Sequence, residues 1–137
     1  MTLVDVLPDA PELAITWLRT QADLTALVAQ RISTRSGSSI TYPYLTLQRI
    51  GGIPVVRQRL DVARIQVSAW AGDEDMASRV ARTARAALHR MEGYTTADAV
   101  CTAVEDDLGL AWQPDTSRTP PTARWIFGVS LYLHAIP

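Results

Sequence analysis

Residues 62–70 alternate along the chain. Ala63, Ile65, Val67 and Ala69 fall on one side of an extended backbone, and Val62, Arg64, Gln66, Ser68 and Trp70 on the other. A period of two predicts a strand with one covered and one wetter face. The same reading applies to 124–134, where Trp125, Phe127, Val129, Leu131 and Leu133 share a side. Residues 44–50 and 99–104 read as further strands, the latter continuing in distorted form through Gly109 to Trp112. A short strand is expected at 31–34, inside a stretch (30–43) of otherwise loop-like composition.

Two segments change period. Leu13, Trp17, Leu24, Leu27 and Val28 recur at helical spacing, predicting a helix from about 10 to 29. Asp9 stands at its start with Glu12 three residues on, as in a capping box. Gln21-Ala-Asp23 is a candidate break, with Asp23 able to cap a second piece. Before Asp9, Leu3, Val4, Val6 and Leu7 form a short apolar segment, suited to packing on the sheet or on a neighbour. The second helix begins after Gly72, where Asp73, Glu74 and Asp75 suit the positive N-terminal end. Met76, Val80, Ala84, Leu88 and Met91 form its apolar stripe, and Gly93 is a fitting stop.

The predicted order is helix, short strand, strand, strand, helix, strand, strand. That grouping implies an α+β fold, an antiparallel or mixed sheet of about four to five strands with two helices packed on one face. One domain is expected over 1–137, since no repeat or second boundary is visible. Two loops stand out, at 51–60 between neighbouring strands and at 114–121. The first holds Gly51, Gly52, Ile53, Pro54, Val55, Val56, Arg57 and Arg59, which is long and apolar for a connection between paired strands.

Composition narrows the function mainly by exclusion. A hydrophobic fraction of 47% over 137 residues suffices for a core without staples. A net charge of −1 lacks the basic excess of a dedicated nucleic-acid binder. No apolar run approaches a bilayer span, so no membrane partner is expected, and the N-terminus lacks the layout of a secretory signal. Cys101 is the single cysteine; within AVCTAV it reads as a buried small hydrophobe, and a reducing cytoplasm is the expected place of synthesis. All thirteen basic residues are arginine and Asn is absent. Lys and Asn share A-rich codons, so a GC-rich genome accounts for the bias.

Candidate chemistry is sparse. His89 and His134 have no partner at metal-ligand spacing, and no nucleophile or phosphate-loop motif is present. Glu105-Asp106-Asp107 is the only acidic cluster that invites a catalytic or Mg²⁺ reading, and in a strand its carboxylates alternate sides rather than converge. No catalytic residue, cofactor or metal is expected, and the chain does not read as an enzyme.

Several pieces together resemble a known family. They are LAITWL at 13–18, DLTALV at 23–28 with Arg31-Ile32, YPYLTL at 42–47, RIQVSAW at 64–70 leading into DEDMASRVARTARAALH at 73–89, and RWIFGVSLYL at 124–133. In this order they resemble the tail terminator (tail completion, head–tail joining) proteins of long-tailed bacteriophages. The resemblance covers nearly the whole chain and rests on apolar positions rather than invariant letters. It implies a homo-oligomeric ring, usually of six copies, at the head-proximal end of the tail in the virion, assembled in the host bacterial cytoplasm. The implied partners are further copies of the chain, the major tail tube protein and the head–tail connector or stopper protein. Genomic DNA would pass through the channel without sequence-specific binding. Other readings are another neck component, stopper or adaptor, and a small-ligand or nucleic-acid-binding α+β module. The last would need a concave pocket with convergent polar groups, or salt-sensitive affinity for DNA.

On this reading the interface residues are those of 51–59 named above, reaching the tube or an adjacent subunit. Arg118 in the second loop is a candidate contact for an acidic partner. The helix face with Arg79, Arg82 and Arg85 is expected to meet Glu105, Asp106 and Asp107 of the next subunit. Trp17 and Trp125 are expected in the core, with Trp70 or Trp112 at an interface.

Overall fold

A computed structural model describes residues 6–35, 41–56, 59–117 and 119–136. The elements run α1 (Ala10–Leu18), α2 (Ala22–Val28), β1 (Ile32–Ser33), β2 (Tyr44–Val56), β3 (Leu60–Ala71), α3 (Glu74–His89), β4 (Ala99–Trp112) and β5 (Ala123–Ala135). The expected α+β class and element order hold. The first helix is divided as its sequence suggested, so three helices rather than two cover the sheet. Asp9 caps α1, its carboxylate accepting from the Glu12 N–H at 3.2 Å. At the division the N-cap is Gln21, not Asp23, which lies in the first turn of α2. Asp73 caps α3, accepting from the Met76 N–H at 2.8 Å.

The five strands lie in the order β1-β2-β3-β5-β4. β1 pairs parallel to β2, and every other pairing is antiparallel. β3 and β5 form the centre and stay in unbroken register from Leu60↔His134 to Ala71↔Ala123. That continuity follows from the alternation of both segments. The covered faces, Ala63, Ile65, Val67 and Ala69 with Phe127, Val129, Leu131 and Leu133, meet Val80, Ala84 and Leu88 of α3 in the core. α1 and α2 add Ile15, Leu18, Leu24 and Val28. Cys101 is buried there, and desolvation pushes its thiol up to about 11, so it is inert.

The stretch expected as a loop at 51–60 is different. β2 continues through it to Val56, and β3 begins at Leu60, so it forms the end of a long antiparallel hairpin. The residues that suggested a loop are accommodated as irregularities of an edge strand. The register shifts between Arg49 and Gly51 and again between Pro54 and Val56, leaving Ile50 and Val55 as bulged residues. Gly52 has φ +96°, and a Cβ there would lie 1.9 Å from the Val62 carbonyl oxygen. Only glycine fits that approach. Pro54 is tolerable because an edge strand does not need every N–H.

Candidate assembly interface

One ion pair runs diagonally along the hairpin end, from Arg49 at its root to Asp61, which faces Pro54 near the turn. The Arg49 guanidinium donates to both carboxylate oxygens of Asp61, with Nη2 to Oδ1 at 2.7 Å, and through Nε to the Gly51 carbonyl at 3.0 Å. The Asp61 side chain has no exposure, whereas Arg49 reaches the surface. This hydrogen bonding pushes the Arg49 guanidinium pKa further up. A forked arginine satisfies both buried oxygens at once, which a point charge would not. Beyond this root the exposed side chains are apolar: Ile50, Ile53, which is 67% exposed, and Val55. Arg59 is exposed at the base of β3; Arg57 lies outside the described residues.

At the other edge of the sheet, β4 divides into two halves. Ala99 and Cys101 are buried, whereas nearly everything from Glu105 to Trp112 is exposed. Three register shifts against β5, after Cys101, Asp106 and Leu108, distort the strand as its sequence suggested. The three carboxylates take separate partners. Glu105 accepts from the Tyr132 hydroxyl at 3.1 Å, which pushes that phenol's pKa up. Asp106 accepts from Arg85 Nε at 3.0 Å and contacts His89 Nε2 at 2.9 Å. Arg85, and then His89, hold the Asp106 carboxyl well below the usual carboxylate range, at about 2. Asp107 accepts from Arg64 Nε at 2.9 Å.

The expected contact of Arg85 with the next subunit's acids is therefore made within one chain. The strand alternation aims Asp106 at α3, and the distance is too short to leave that pair open. Arg79 and Arg82 remain exposed, beside a groove between α2 and α3 floored by Ala26, Leu27 and Ala86. Arg118 lies outside the described residues, as do Leu3 and Val4. Trp17 packs on the core and donates Nε1–H to the Ala87 carbonyl at 2.8 Å. Trp125 also packs on the core. Trp70 is held between Tyr44, stacked at 5.7 Å, and the Arg124 guanidinium 4.8 Å from its ring centre. Trp112, at 41% exposed, is the more open of the two.

Sequence reasoning missed Ile50, Leu108 and Leu110 as surface candidates. All three are exposed apolar residues at or beside register shifts. Their signal is faint: in DDLGLAW the apolar letters continue a strand past a charge run, where a regular strand would have buried alternate ones. Among the described residues no cluster of His, Cys, Asp and Glu could hold a metal ion. Among the described residues the surface offers two apolar edge segments, an arrangement suited to protein contact.

Comparison with known proteins agrees with that character. No curated protein matches the sequence. Over 88% of its length the chain superposes on the structure of the bacteriophage SPP1 gp17 protein, covering 86% of that chain, with TM-score 0.55 and 15% identity. It superposes likewise on a chain of the virion of a native gene transfer agent particle, covering 88% of this chain and 91% of that one, with TM-score 0.57 and 13% identity. At such identities the likeness shows a shared fold. The family model described as tail completion protein gp17 matches residues 14–119, most of the chain. The protein belongs to the phage tail completion family and is a structural component of the virion tail.

Proposed function

We propose that the protein forms a homo-oligomeric ring, of six copies, at the head-proximal end of the tail. There it ends the growing tube and joins it to the head connector or stopper. The observation that carries this reading is the family match across 14–119, which takes in both edge segments. The hairpin from Arg49 to Asp61 supports it, since an arm with exposed Ile53 and Val55 suits contact with the tube protein or a neighbouring copy. Such a subunit associates through surfaces rather than reacts, and genomic DNA passes through the ring without being read. Assembly takes place in the host cytoplasm.

Negative-stain electron microscopy of a lysate from a phage lacking the gene tests this. Overlong tubes beside tailless, DNA-filled heads are the expected result. Tubes of normal length beside empty heads would instead assign the protein to the stopper position. Normal infectious particles would overturn both.

A further inference from the structure

The sheet has two outer edges, and each is covered only toward one end. On β2 the cover is β1, paired at Leu45 and Thr46. On β4 the cover is the turn after α3, at the opposite end of the sheet. The Gly93 N–H donates to the Cys101 carbonyl at 2.7 Å, the Cys101 N–H donates to the Tyr94 carbonyl at 2.9 Å, and Thr95 bridges Val100. Among the described residues nothing pairs with the outer side of β2 from Gln48 to Val56, or of β4 from Thr102 to Trp112. The free halves are diagonal to one another. They also hold six of the large exposed apolar residues: Ile50, Ile53, Val55, Leu108, Leu110 and Trp112.

We propose that these two half-edges are one joint: the free half of β2 in one copy lies antiparallel against the free half of β4 in the next. The inference rests on the ring reading above and names its subunit contact. Four observations carry it. Through the antiparallel pairs β2–β3, β3–β5 and β5–β4, the outer strands run in opposite senses. A neighbour of the same polarity therefore presents its β2 antiparallel to β4. Each half leaves unpaired backbone groups beside exposed apolar side chains, which a soluble protein normally covers. Charge is complementary: residues 49–61 carry three arginines and one aspartate, whereas 99–112 carry three carboxylates and no basic residue. Arg64 and Arg85 already occupy Asp107 and Asp106, and Glu105, which accepts from the neutral Tyr132 hydroxyl, is the carboxylate without a cationic partner among the described residues, open to the arm's Arg59.

The fourth observation is the diagonal offset itself. Pairing a lower half with an upper half staggers each copy along its neighbour, and tilted strands convert such stagger into a closed circle, as in barrels. The two patches differ, so the contact is head-to-tail, and it makes a ring when the rotation between copies closes. Two bulges and Pro54 keep the backbone ladder short, so buried side chains carry most of the contact.

The test places cysteines at Ile53 and Leu110, both exposed, in the phage-encoded protein and treats purified particles with a short bismaleimide linker. The double variant should give a ladder of multimers ending at one closed species, while neither single variant exceeds its uncross-linked pattern. Buried Cys101 does not compete. A double variant that enters particles but stays monomeric would overturn the joint and leave the ring reading standing, provided phage lacking the gene still make overlong tubes. A ladder beside normal tubes in that lysate would keep the joint and remove the terminator role. Absence of the wild-type protein from particles would remove both.

Discussion

β3 and β4 have similar lengths and similar runs of apolar letters, yet they do opposite work. β3 lies at the centre, pairs on both sides and buries every second residue against α3. Its register with β5 is unbroken over twelve pairs. β4 lies at the edge, shifts register three times and buries residues only at its start. A strand with two partners must keep strict alternation, because one slip would move its whole apolar set to the wrong face. An edge strand can spend residues on bulges and can show apolar side chains outward. Regular alternation thus marks what holds the chain together, and interrupted alternation marks what it offers to others.

Substitutions should separate the two kinds of region in graded fashion. Phe127→Ala in the centre empties a fully buried site and should cost about 3–5 kcal/mol, read as a large fall in thermal midpoint. Gly52→Ala should cost roughly 1–3 kcal/mol, because the residue would sit at φ +96° against the Val62 carbonyl. Its damage should be local, with faster amide exchange in 49–61 and unchanged exchange in β5. The clasp between α3 and β4 should show in acid. The Asp106 carboxyl is depressed in the folded chain, so its contribution is present above an ordinary carboxylate pKa and is lost as pH falls from about 4 to about 2. Asp106 is well exposed to solvent, so the loss is about 0.5–1 kcal/mol, and Asp106→Asn should flatten that part of the stability profile. Smallest of all, Leu110→Ser should change the stability of the isolated chain by less than about 0.5 kcal/mol while abolishing its assembly into particles. If Leu110→Ser lowered the midpoint as Phe127→Ala does, the division into holding and offering strands would fail.

The fold was largely legible in the sequence. Ala63 to Ala69 and Trp125 to Leu133 announced the central strands, and the Asp9 and Asp73 caps marked helix starts. The break at Gln21 was also visible. What misled was Gly51-Gly52-Ile-Pro, where residues that usually end a strand instead shape a bulged edge. Local composition is the same for a loop and for a bulged edge strand. Only the opposite strand decides, and for Gly52 the decisive partner is the Val62 carbonyl. The contact surface was legible in part. Ile53 and Val55 were singled out, but Ile50, Leu108 and Leu110 were not, because exposure at an edge depends on register. The acids of 105–107 were noticed, yet their partners Arg64, Arg85 and Tyr132 lie 21 to 43 residues away along the chain.

The Arg49–Asp61 fork also sets how the hairpin can move. It adds a side-chain tie to a backbone ladder that runs on to Val56↔Leu60, and the same guanidinium holds the Gly51 carbonyl. Past that tie β2 is held on one side only, by β3, which is itself fixed to β5 along its whole length. Release would come in one step when the fork opens, rather than by gradual fraying from the tip. The amides of 51–53, 55 and 56 should then exchange with a common opening free energy, and Asp61→Asn should lower it for all of them together.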